Sequence, residues 1–450
     1  MKRRHSLEKY LKNGKLKNPN NLNYRLCTGE RANMRNFKFL TKQYEGKVVR
    51  PQDIRKFGLD ITKLDFVAKN FEELRLYPPN MVIAECVKTR KFSQDKGALQ
   101  QLKKKVKYGM GLGIFQQLWW DPTFQCKILK PSSIKFSNMY KPYTGQDLNN
   151  KTLLVIRTGG IGDLLFIQPN LIHLKEQYPS CKIIFGCGPQ YQSMVDNWDC
   201  VDEIGDLPIS FSKIVKADYH AIFEGVIERC SLAHHTNAYR LFTDWLGLCL
   251  PDEKLLPRQT PKPERLKIAH DTLDSWGVSP GSFALLLLRA SSPIRTPRPE
   301  FWKLLINELT SRGHNVVITD APFLADQIDD FIDTCSNKNM IFNFARYSEL
   351  LDYSIAMTSL AKGCIATDTS LMHIAASMDI PAFGIYGPFP GEIRLTTYPK
   401  SKWINSQFPC APCFLHGPRP CKNATDGHSK CYDFVDIITC VDGYEELVND

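Results

Sequence analysis

The sequence lacks any apolar run long enough to cross a bilayer. Its longest uninterrupted run, residues 283–288, is far shorter than the ~20 residues that a transmembrane helix needs. Residues 2–4 are basic, as at the start of a signal peptide, but lysines and asparagines follow where an apolar segment is required. We therefore expect no transmembrane segment and a cytoplasmic location, which is the host cytoplasm if the source is viral.

The cysteines do not suit a disulfide framework, because 15 of them, an odd number, are scattered over a long chain. Apolar residues make up 43% of the sequence and charged residues 23%, which excludes disordered, collagen-like and coiled-coil classes. The length of 450 residues predicts two or three globular domains.

Acidic residues are scarce in the first third of the chain. Residues 1–150 contain 31 Lys and Arg against 12 Asp and Glu, a net charge of +19, whereas the rest of the chain carries −8. We divide this region into a basic arm, 1–50, and a basic accessory module, 51–150. Such asymmetry predicts contact with a polyanion, either nucleic acid or an anionic membrane surface. The alternative is a solubilising or poorly ordered basic tail.

Lysines and aromatic residues interleave inside the accessory module. Four lysines precede Tyr108 and the aromatic residues at 115, 119 and 120, and these are Lys103, Lys104, Lys105 and Lys107. Cations that follow a backbone and rings that stack on bases are typical of nucleic-acid binding. Lysines on a solvated face beside core aromatics would give the same pattern, so both interpretations stay open.

Two α/β patterns follow the basic region. Strands predicted at 153–156 and 182–186 flank a helix predicted at 163–178, which is a βαβ unit of a parallel sheet. After a Pro- and Lys-rich linker at 257–263, a second series of strands and helices begins. We therefore predict two doubly wound Rossmann-like domains, 151–262 and 263–405, and a Cys-rich segment, 406–450. A ligand would bind in the cleft between the two domains.

A glycine-rich loop follows the first strand of the first domain. Gly159, Gly160 and Gly162 have the spacing GGxGD rather than GxGxxG, and no ribose-binding carboxylate ends the second strand, which disfavours a nicotinamide dehydrogenase. Asp163 would lie at the N-terminus of the next helix, where the helix dipole favours an ionised carboxylate that can act as a general base. A simple N-cap is the alternative for Asp163.

A second polar cluster joins a strand to a helix in the second domain. Asp368 could cap that helix and His373 would lie one turn inside it, where a nucleotide could bind. Taken alone, a capping aspartate and a core histidine explain the same residues.

These two stretches resemble glycosyltransferase family 9, the heptosyltransferases. The segment LLVIRTGGIGDLL at 153–165 resembles the start of the family, and DTSLMHIAA at 368–376, with the later IP and YGP, resembles its donor-site motif. The resemblance covers about residues 151–440. It implies a GT-B fold, with an acceptor domain followed by a donor domain, and an inverting, metal-independent transfer from a nucleotide-activated sugar.

The resemblance also implies roles for individual residues. Asp163 matches the catalytic base, and Asp368, Thr369 and His373 match donor-binding positions, while Ser370 replaces the family's customary glycine. For the basic residue that would neutralise the leaving diphosphate, Arg295 is our first choice and Arg298 our second; the family usually has a lysine there. Arg289 is either a further phosphate ligand or a structural arginine.

Cysteines near the C-terminus have spacings that suit a tetrahedral zinc site, namely Cys410, Cys413, Cys421 and Cys431. His416, His428 and Cys440 are further candidate ligands, and unliganded thiols or disulfides are the alternatives. Glu224, His234 and His235 are expected to be structural. No catalytic metal is expected.

The sequence thus predicts a transferase that moves a sugar from a nucleotide sugar to a hydroxyl on a polyanion, such as hydroxymethylated viral DNA. One alternative is a lipopolysaccharide core heptosyltransferase at the inner membrane face, held there by its basic residues. A second is a non-catalytic GT-B protein that binds nucleic acid, and a third is a nucleic-acid-binding protein with a zinc module.

Overall fold

The structure is a computed structural model. It describes residues 81–92, 100–111, 126–128, 141–207, 209–223, 226–229, 233, 236–415 and 421–449, together with three two-residue strands nearer the N-terminus. Most of the predicted basic arm and parts of the accessory module lie outside the described residues. No helix among the described residues is long and apolar enough to span a membrane.

The strands before the first Rossmann-like domain are β1 (Leu11–Lys12), β2 (Lys15–Leu16), β3 (Val48–Val49), β4 (Met81–Cys86), β5 (Arg90–Phe92), β6 (Gln100–Leu102), β7 (Lys107–Gly111) and β8 (Cys126–Ile128). The later strands are β9 (Thr152–Ile156), β10 (Lys182–Cys187), β11 (Glu203–Asp206), β12 (Ile209–Ser210), β13 (Tyr219–Ile222), β14 (Phe283–Leu287), β15 (Asn315–Ile318), β16 (Ile341–Asn343), β17 (Gly363–Ala366), β18 (Ala382–Tyr386), β19 (Ser401–Asn405), β20 (Ala424–Thr425) and β21 (His428–Ser429).

The helices are α1 (Ile161–Gln177), α2 (Gln192–Val195), α3 (Phe211–Lys216), α4 (Val226–Arg229), α5 (Ala238–Trp245), α6 (Pro263–Trp276), α7 (Pro299–Ser311), α8 (Ala325–Asp333), α9 (Leu351–Ser359), α10 (Ser370–Ser377), α11 (Glu392–Leu395) and α12 (Ile437–Asn449).

The first Rossmann-like domain has a parallel sheet in the order β11–β10–β9–β13. Strand β9 is buried over its last four residues, as its continuous apolar sequence predicts for a strand covered on both faces. The strand order reverses between β9 and β13. The loop that follows β9, which holds the glycines, therefore opens at the point where such sheets bind ligands.

The second domain has six parallel strands in the order β16–β15–β14–β17–β18–β19. Its strand order reverses between β14 and β17, so the loops after these two strands flank a second ligand-binding crevice. The predicted α/β architecture of two facing Rossmann-like domains is confirmed. The strands predicted at 153–156 and 182–186 and the helix predicted at 163–178 differ from the observed elements by one or two residues at an end.

The two domains share a continuous apolar core. Helix α1 of the first domain packs on α10 of the second, and Phe166 contacts His373 edge to face at 4.6 Å between ring centroids. The C-terminal helix α12 packs on α7 and on β18 and β19. The end of the predicted Cys-rich segment is therefore part of the second domain's packing.

Four of the N-terminal strands and β12 form an antiparallel sheet, the N-terminal sheet, in the order β12–β7–β4–β8–β3. Strand β12 comes from the first Rossmann-like domain, where it pairs Ile209 with Gly109 and Ser210 with Tyr108. The sheet thus crosses the domain boundary that we predicted at residue 150.

Candidate active site

The loop after β9 brings a carboxylate to the cleft between the domains. Gly160 is the N-cap of α1 and has a φ of 84°, a conformation that favours glycine. A Cβ on Gly160 would collide with the carboxylate of Asp163, which lies in the first turn of α1. Asp163 is therefore not the N-cap, and the positive end of the helix dipole stabilises its negative charge.

Arg157 orients this carboxylate. Its side chain is only 4% exposed, and it donates from Nη2 to Oδ2 of Asp163. It also donates from Nε to the Gly159 carbonyl and from Nη1 to the Phe223 carbonyl, each at 3.1 Å. These backbone contacts fix the guanidinium in place. The Asp163 side chain is 24% exposed, so a substrate hydroxyl can reach it.

On the opposite wall, Asp368 holds two buried arginines. It follows β17, and its carboxylate accepts from Nη1 of Arg295 and from Nε of Arg394, both at 3.2 Å. All three side chains are less than 10% exposed. The Arg295 Nη1 also donates to the Asp368 carbonyl at 2.9 Å, and its Nη2 donates to Ser291 at 2.5 Å. We call these three side chains the arginine cluster, and its net charge is positive.

The remaining residues of the donor-site motif lie around the N-terminus of α10. Thr369, not Asp368, is the N-cap, so the capping alternative for Asp368 is wrong. The Thr369 hydroxyl makes no cap hydrogen bond, and its Oγ1 is buried with no partner in the described part of the chain. The Nε of Arg295 is also buried and has no hydrogen-bond partner among the described residues. These atoms fit the oxygens of a bound phosphate group, since buried donors are normally paired.

His373 lies one turn inside α10 and is 4% exposed. Burial lowers its pKa to about 3, with a smaller lowering from the charge of Arg394 and an opposing contribution from Asp368. The imidazole is therefore neutral at physiological pH. Its Nδ1 is hydrogen-bonded to Oη of Tyr398.

One cleft brings these groups together. Its first-domain wall includes Gly160, Gly162 and Asp163. Its second-domain wall includes most of the predicted donor-site residues and one arginine that we did not predict, namely Arg289, Arg295, Asp368, Thr369, Ser370, His373 and Arg394. The cleft therefore has a carboxylate on one wall and a positively charged cluster on the other.

Two predicted arginines are placed differently from Arg295. Arg298 is not among the residues that line the cleft, and it forms an ion pair with Asp433 at 2.9 Å. Arg289 does line the cleft, and its Nε lies 3.1 Å from Oδ2 of Asp320. Of the two candidates named for the leaving diphosphate, the structure thus brings only Arg295 to the site.

The predicted lysine cluster lies in the turn between β6 and β7 and at the start of β7, and none of its lysines is among the residues that line the cleft. All four of its lysines are exposed, at Lys103, Lys104, Lys105 and Lys107. The backbone N–H of Lys103 donates to the Tyr108 hydroxyl, whose ring is buried. The other aromatic residues of that pattern lie outside the described residues.

The four cysteines of the predicted zinc site are free thiols. Burial raises the pKa of Cys413, and the nearby Cys410 and Cys421 raise it further, so these residues are neighbours. Among the described residues, however, no group of three or more His, Cys, Asp or Glu side chains is arranged to hold a metal ion. The side-chain positions thus do not support the predicted site.

Of the three further candidate ligands for that site, the structure describes two. His428 bonds through Nδ1 to the Thr296 carbonyl, and Cys440 is buried in α12. His416 lies outside the described residues, as do Glu224, His234 and His235.

Our sequence interpretation gave no role to Arg157 or Arg394. Arg157 lies inside the glycine-loop motif, and its position directly after a buried strand could have identified it as a residue of the site. Arg394 comes from α11, a helix of only four residues.

A family model described as glycosyltransferase family 9 (heptosyltransferase) matches residues 231–422. Residues 231–422 therefore correspond to a glycosyltransferase family 9 domain. This agrees with the resemblance seen in the sequence, and it supports glycosyltransferase activity. The matched range includes the arginine cluster and His373.

Individual proteins are also similar to parts of this chain. Lipopolysaccharide heptosyltransferase 1 of Pseudomonas aeruginosa is 44% identical over 55 residues, which is 12% of this chain and 15% of that protein. The match therefore covers only a small part of the length of this relative. A family 9 glycosyl transferase from Veillonella parvula superimposes with a TM-score of 0.53 at 13% identity, over 68% of this chain and 99% of that one. The ADP-heptose lipopolysaccharide heptosyltransferase II of E. coli has a TM-score of 0.49 at 13% identity, over 66% and 98% of the two chains.

Proposed function

We propose that the protein catalyses inverting transfer of a sugar from a nucleotide-sugar donor to a hydroxyl acceptor. The observation that carries the proposal is the pairing of Asp163 on one wall of the cleft with the arginine cluster on the other. The first suits a general base and the second suits a diphosphate.

In the proposed reaction, the acceptor hydroxyl gives its proton to the Asp163 carboxylate as its oxygen forms a bond to the anomeric carbon. The bond from that carbon to the donor diphosphate breaks, and its electron pair leaves with the diphosphate. Arg157 orients the base through its ion pair. Arg295 and Arg394 stabilise the developing negative charge, as preorganised cations do. Because these guanidiniums supply the positive charge, we propose a metal-independent reaction.

The catalytic assignment is tested with Asp163→Asn in the full chain. We expect loss of transfer, measured as release of nucleoside diphosphate, with donor binding kept within about twofold, because the amide keeps the shape but is no base. Asp199→Asn, at an exposed position of the same domain, is the matched control and should stay active. Turnover that survives in Asp163→Asn would exclude this residue as the base. Activity that disappears with a chelator would exclude the metal-independent mechanism.

For the acceptor, we propose a hydroxyl displayed on a polyanion, with hydroxymethylated DNA as the first candidate. The net charge of +19 over residues 1–150 and the four exposed lysines between the end of β6 and the start of β7 support it. A hydroxymethyl group at the 5-position of a pyrimidine projects into the major groove, where little or no base flipping is needed. We also propose that the protein is located in the cytoplasm, as predicted from the sequence.

Titration of labelled duplex DNA at two salt concentrations tests this acceptor. We expect binding that weakens steeply with salt, and a shallower salt slope when the four lysines are replaced by glutamine. No binding at low salt would exclude DNA. Lipopolysaccharide core fragments are the second candidate, favoured by the 44% identity to a lipopolysaccharide heptosyltransferase over 55 residues. They are tested in the same nucleotide-release assay.

A further inference from the structure

A buried chain of three polar groups crosses from one domain to the other beside the cleft. Tyr239 belongs to α5 of the first domain, whereas Tyr398 and His373 belong to the second. The two tyrosine hydroxyls lie 2.6 Å apart, and Oη of Tyr398 is also bonded to Nδ1 of His373. All three side chains are less than 5% exposed, so water does not compete for these hydrogen bonds.

The available donors and acceptors favour one direction of donation along these hydrogen bonds. If Tyr239 donates to Tyr398 and Tyr398 donates to Nδ1 of His373, both hydroxyl protons have an acceptor. In the reverse direction, Nδ1–H donates to Tyr398, Tyr398 donates to Tyr239, and the Tyr239 proton has no acceptor among the described residues. A buried donor without an acceptor is costly, so the first direction is preferred. A neutral imidazole that accepts at Nδ1 carries its proton on Nε2.

The Nε2 atom of His373 lies at the junction of the two cleft walls. A Cβ on Gly162 would be 3.4 Å from this nitrogen and 2.9 Å from Cδ2 of the ring, so the first turn of α1 lies directly against it. His373 also lines the cleft together with the arginine cluster. An N–H at this position adds a hydrogen-bond donor to the lining of the cleft that also holds the arginine cluster.

We propose that Tyr239 and Tyr398 are positioning residues that hold His373 as the Nε2–H tautomer, ready to donate to an anionic oxygen of a bound diphosphate. The ligand in this proposal rests on the proposed function, whereas the tautomer does not. Because Tyr239 lies on the first domain and His373 on the second, contact between the domains determines the tautomer of His373. This relay extends the phosphate site beyond the arginine cluster.

The tautomer is tested by NMR of the full chain with ¹⁵N-labelled histidine, the His373 signals being assigned from their loss in His373→Gln. At pH 7 we expect a protonated Nε2 and an unprotonated Nδ1. A protonated Nδ1 would overturn the proposed relay. Inorganic pyrophosphate is then added as a probe for the diphosphate. A shift of the Nε2–H signal supports the contact, and an unchanged signal at saturation refutes it.

The positioning role is tested by kinetics. Removing the hydroxyl in Tyr398→Phe should lower kcat by about 3- to 10-fold, the range expected for one lost hydrogen bond, with a smaller effect on the KM of the acceptor. Tyr444→Phe is the control, because Tyr444 is buried in α12, outside the site, and its hydroxyl has no partner among the described residues. An unchanged kcat in Tyr398→Phe would refute the role. A wild-type protein that transfers no sugar would refute the proposed function and leave the NMR result to decide the tautomer.

Discussion

Replacing Asp368 by asparagine should destabilise the protein and change how it responds to a diphosphate. The carboxylate lies between Arg295 and Arg394, with one oxygen 3.2 Å from a guanidinium nitrogen on each side. An amide of the same shape has one oxygen and one NH₂ group. It can accept from one arginine, but it turns a donor toward the other.

The magnitude follows from burial, since all three side chains are less than 10% exposed. Breaking a buried ion pair costs about 3–5 kcal/mol, because a charge is left without compensation. Asparagine keeps one of the two hydrogen bonds, so we expect the lower end, a loss of about 3 kcal/mol in the free energy of unfolding. The variant leaves two buried positive charges, and pyrophosphate should therefore bind it more tightly than it binds the wild type.

Urea denaturation measures both effects. We expect a lower midpoint with an unchanged slope for Asp368→Asn, and a larger recovery of the midpoint with saturating pyrophosphate than in the wild type. The control is Asp326→Asn, because Asp326 pairs with Arg346 at an exposed position and its removal should change neither result. A loss below about 1 kcal/mol would show that the cluster is not a tightly coupled buried network. An equal pyrophosphate response in both proteins would refute the assignment of the cluster as an anion site.

Three further substitutions test the geometry of the cleft. Gly160→Ala places a side chain at a φ of 84° and against Asp163, so we expect a loss of about 1–3 kcal/mol in urea denaturation together with slower transfer. Gly162→Ala gains about 1 kcal/mol of helix propensity but meets the His373 ring at 2.9 Å, so kcat should fall while the urea midpoint changes little. The pKa of His373 is lowered to about 3, below its unfolded value of about 6.5, so the unfolded state binds more protons between these values. Stability should therefore fall as the pH drops below about 6.5, and His373→Gln should remove about 2 kcal/mol of the loss seen by pH 5, measured by urea denaturation at both pH values.

The residues that sequence patterns predicted at the cleft share one property, which is that each follows a parallel strand closely. Asp163 comes after β9, Arg295 after β14, and Asp368 with His373 after β17. Because the carboxyl ends of parallel strands meet at one edge of a sheet, finding β14 and β17 was enough to bring Arg295 and Asp368 together. Asp163 follows a strand of the other sheet, and it joins them because the two domains face each other across the cleft. Arg298 follows the same strand as Arg295, yet Asp433, which is distant in the sequence, holds it outside the cleft.

The unpredicted residues depend on contacts between distant segments. Tyr239 and Tyr398 are 159 residues apart, and each alone has the pattern of an ordinary core tyrosine. Arg394 belongs to a helix of four residues, and its role depends on Asp368, 26 residues earlier. Asp368 itself had a local explanation as a helix cap, but two buried guanidiniums compete for its carboxylate and the charge-assisted contacts are the stronger ones.

The pairing of β12 with β7 connects the basic region to one side of the proposed reaction. Strand β12 lies in the first Rossmann-like domain between β11 and α3, and it forms the edge of the N-terminal sheet. Strand β7 begins at Lys107, so the exposed lysines stand at the end of a strand that is hydrogen-bonded to the domain that carries Asp163. A ligand held by these lysines is therefore held by the domain that carries Asp163, not by the domain with the arginine cluster. The structural connection favours a role of the basic region in acceptor binding, because a donor-binding role would place it on the other domain.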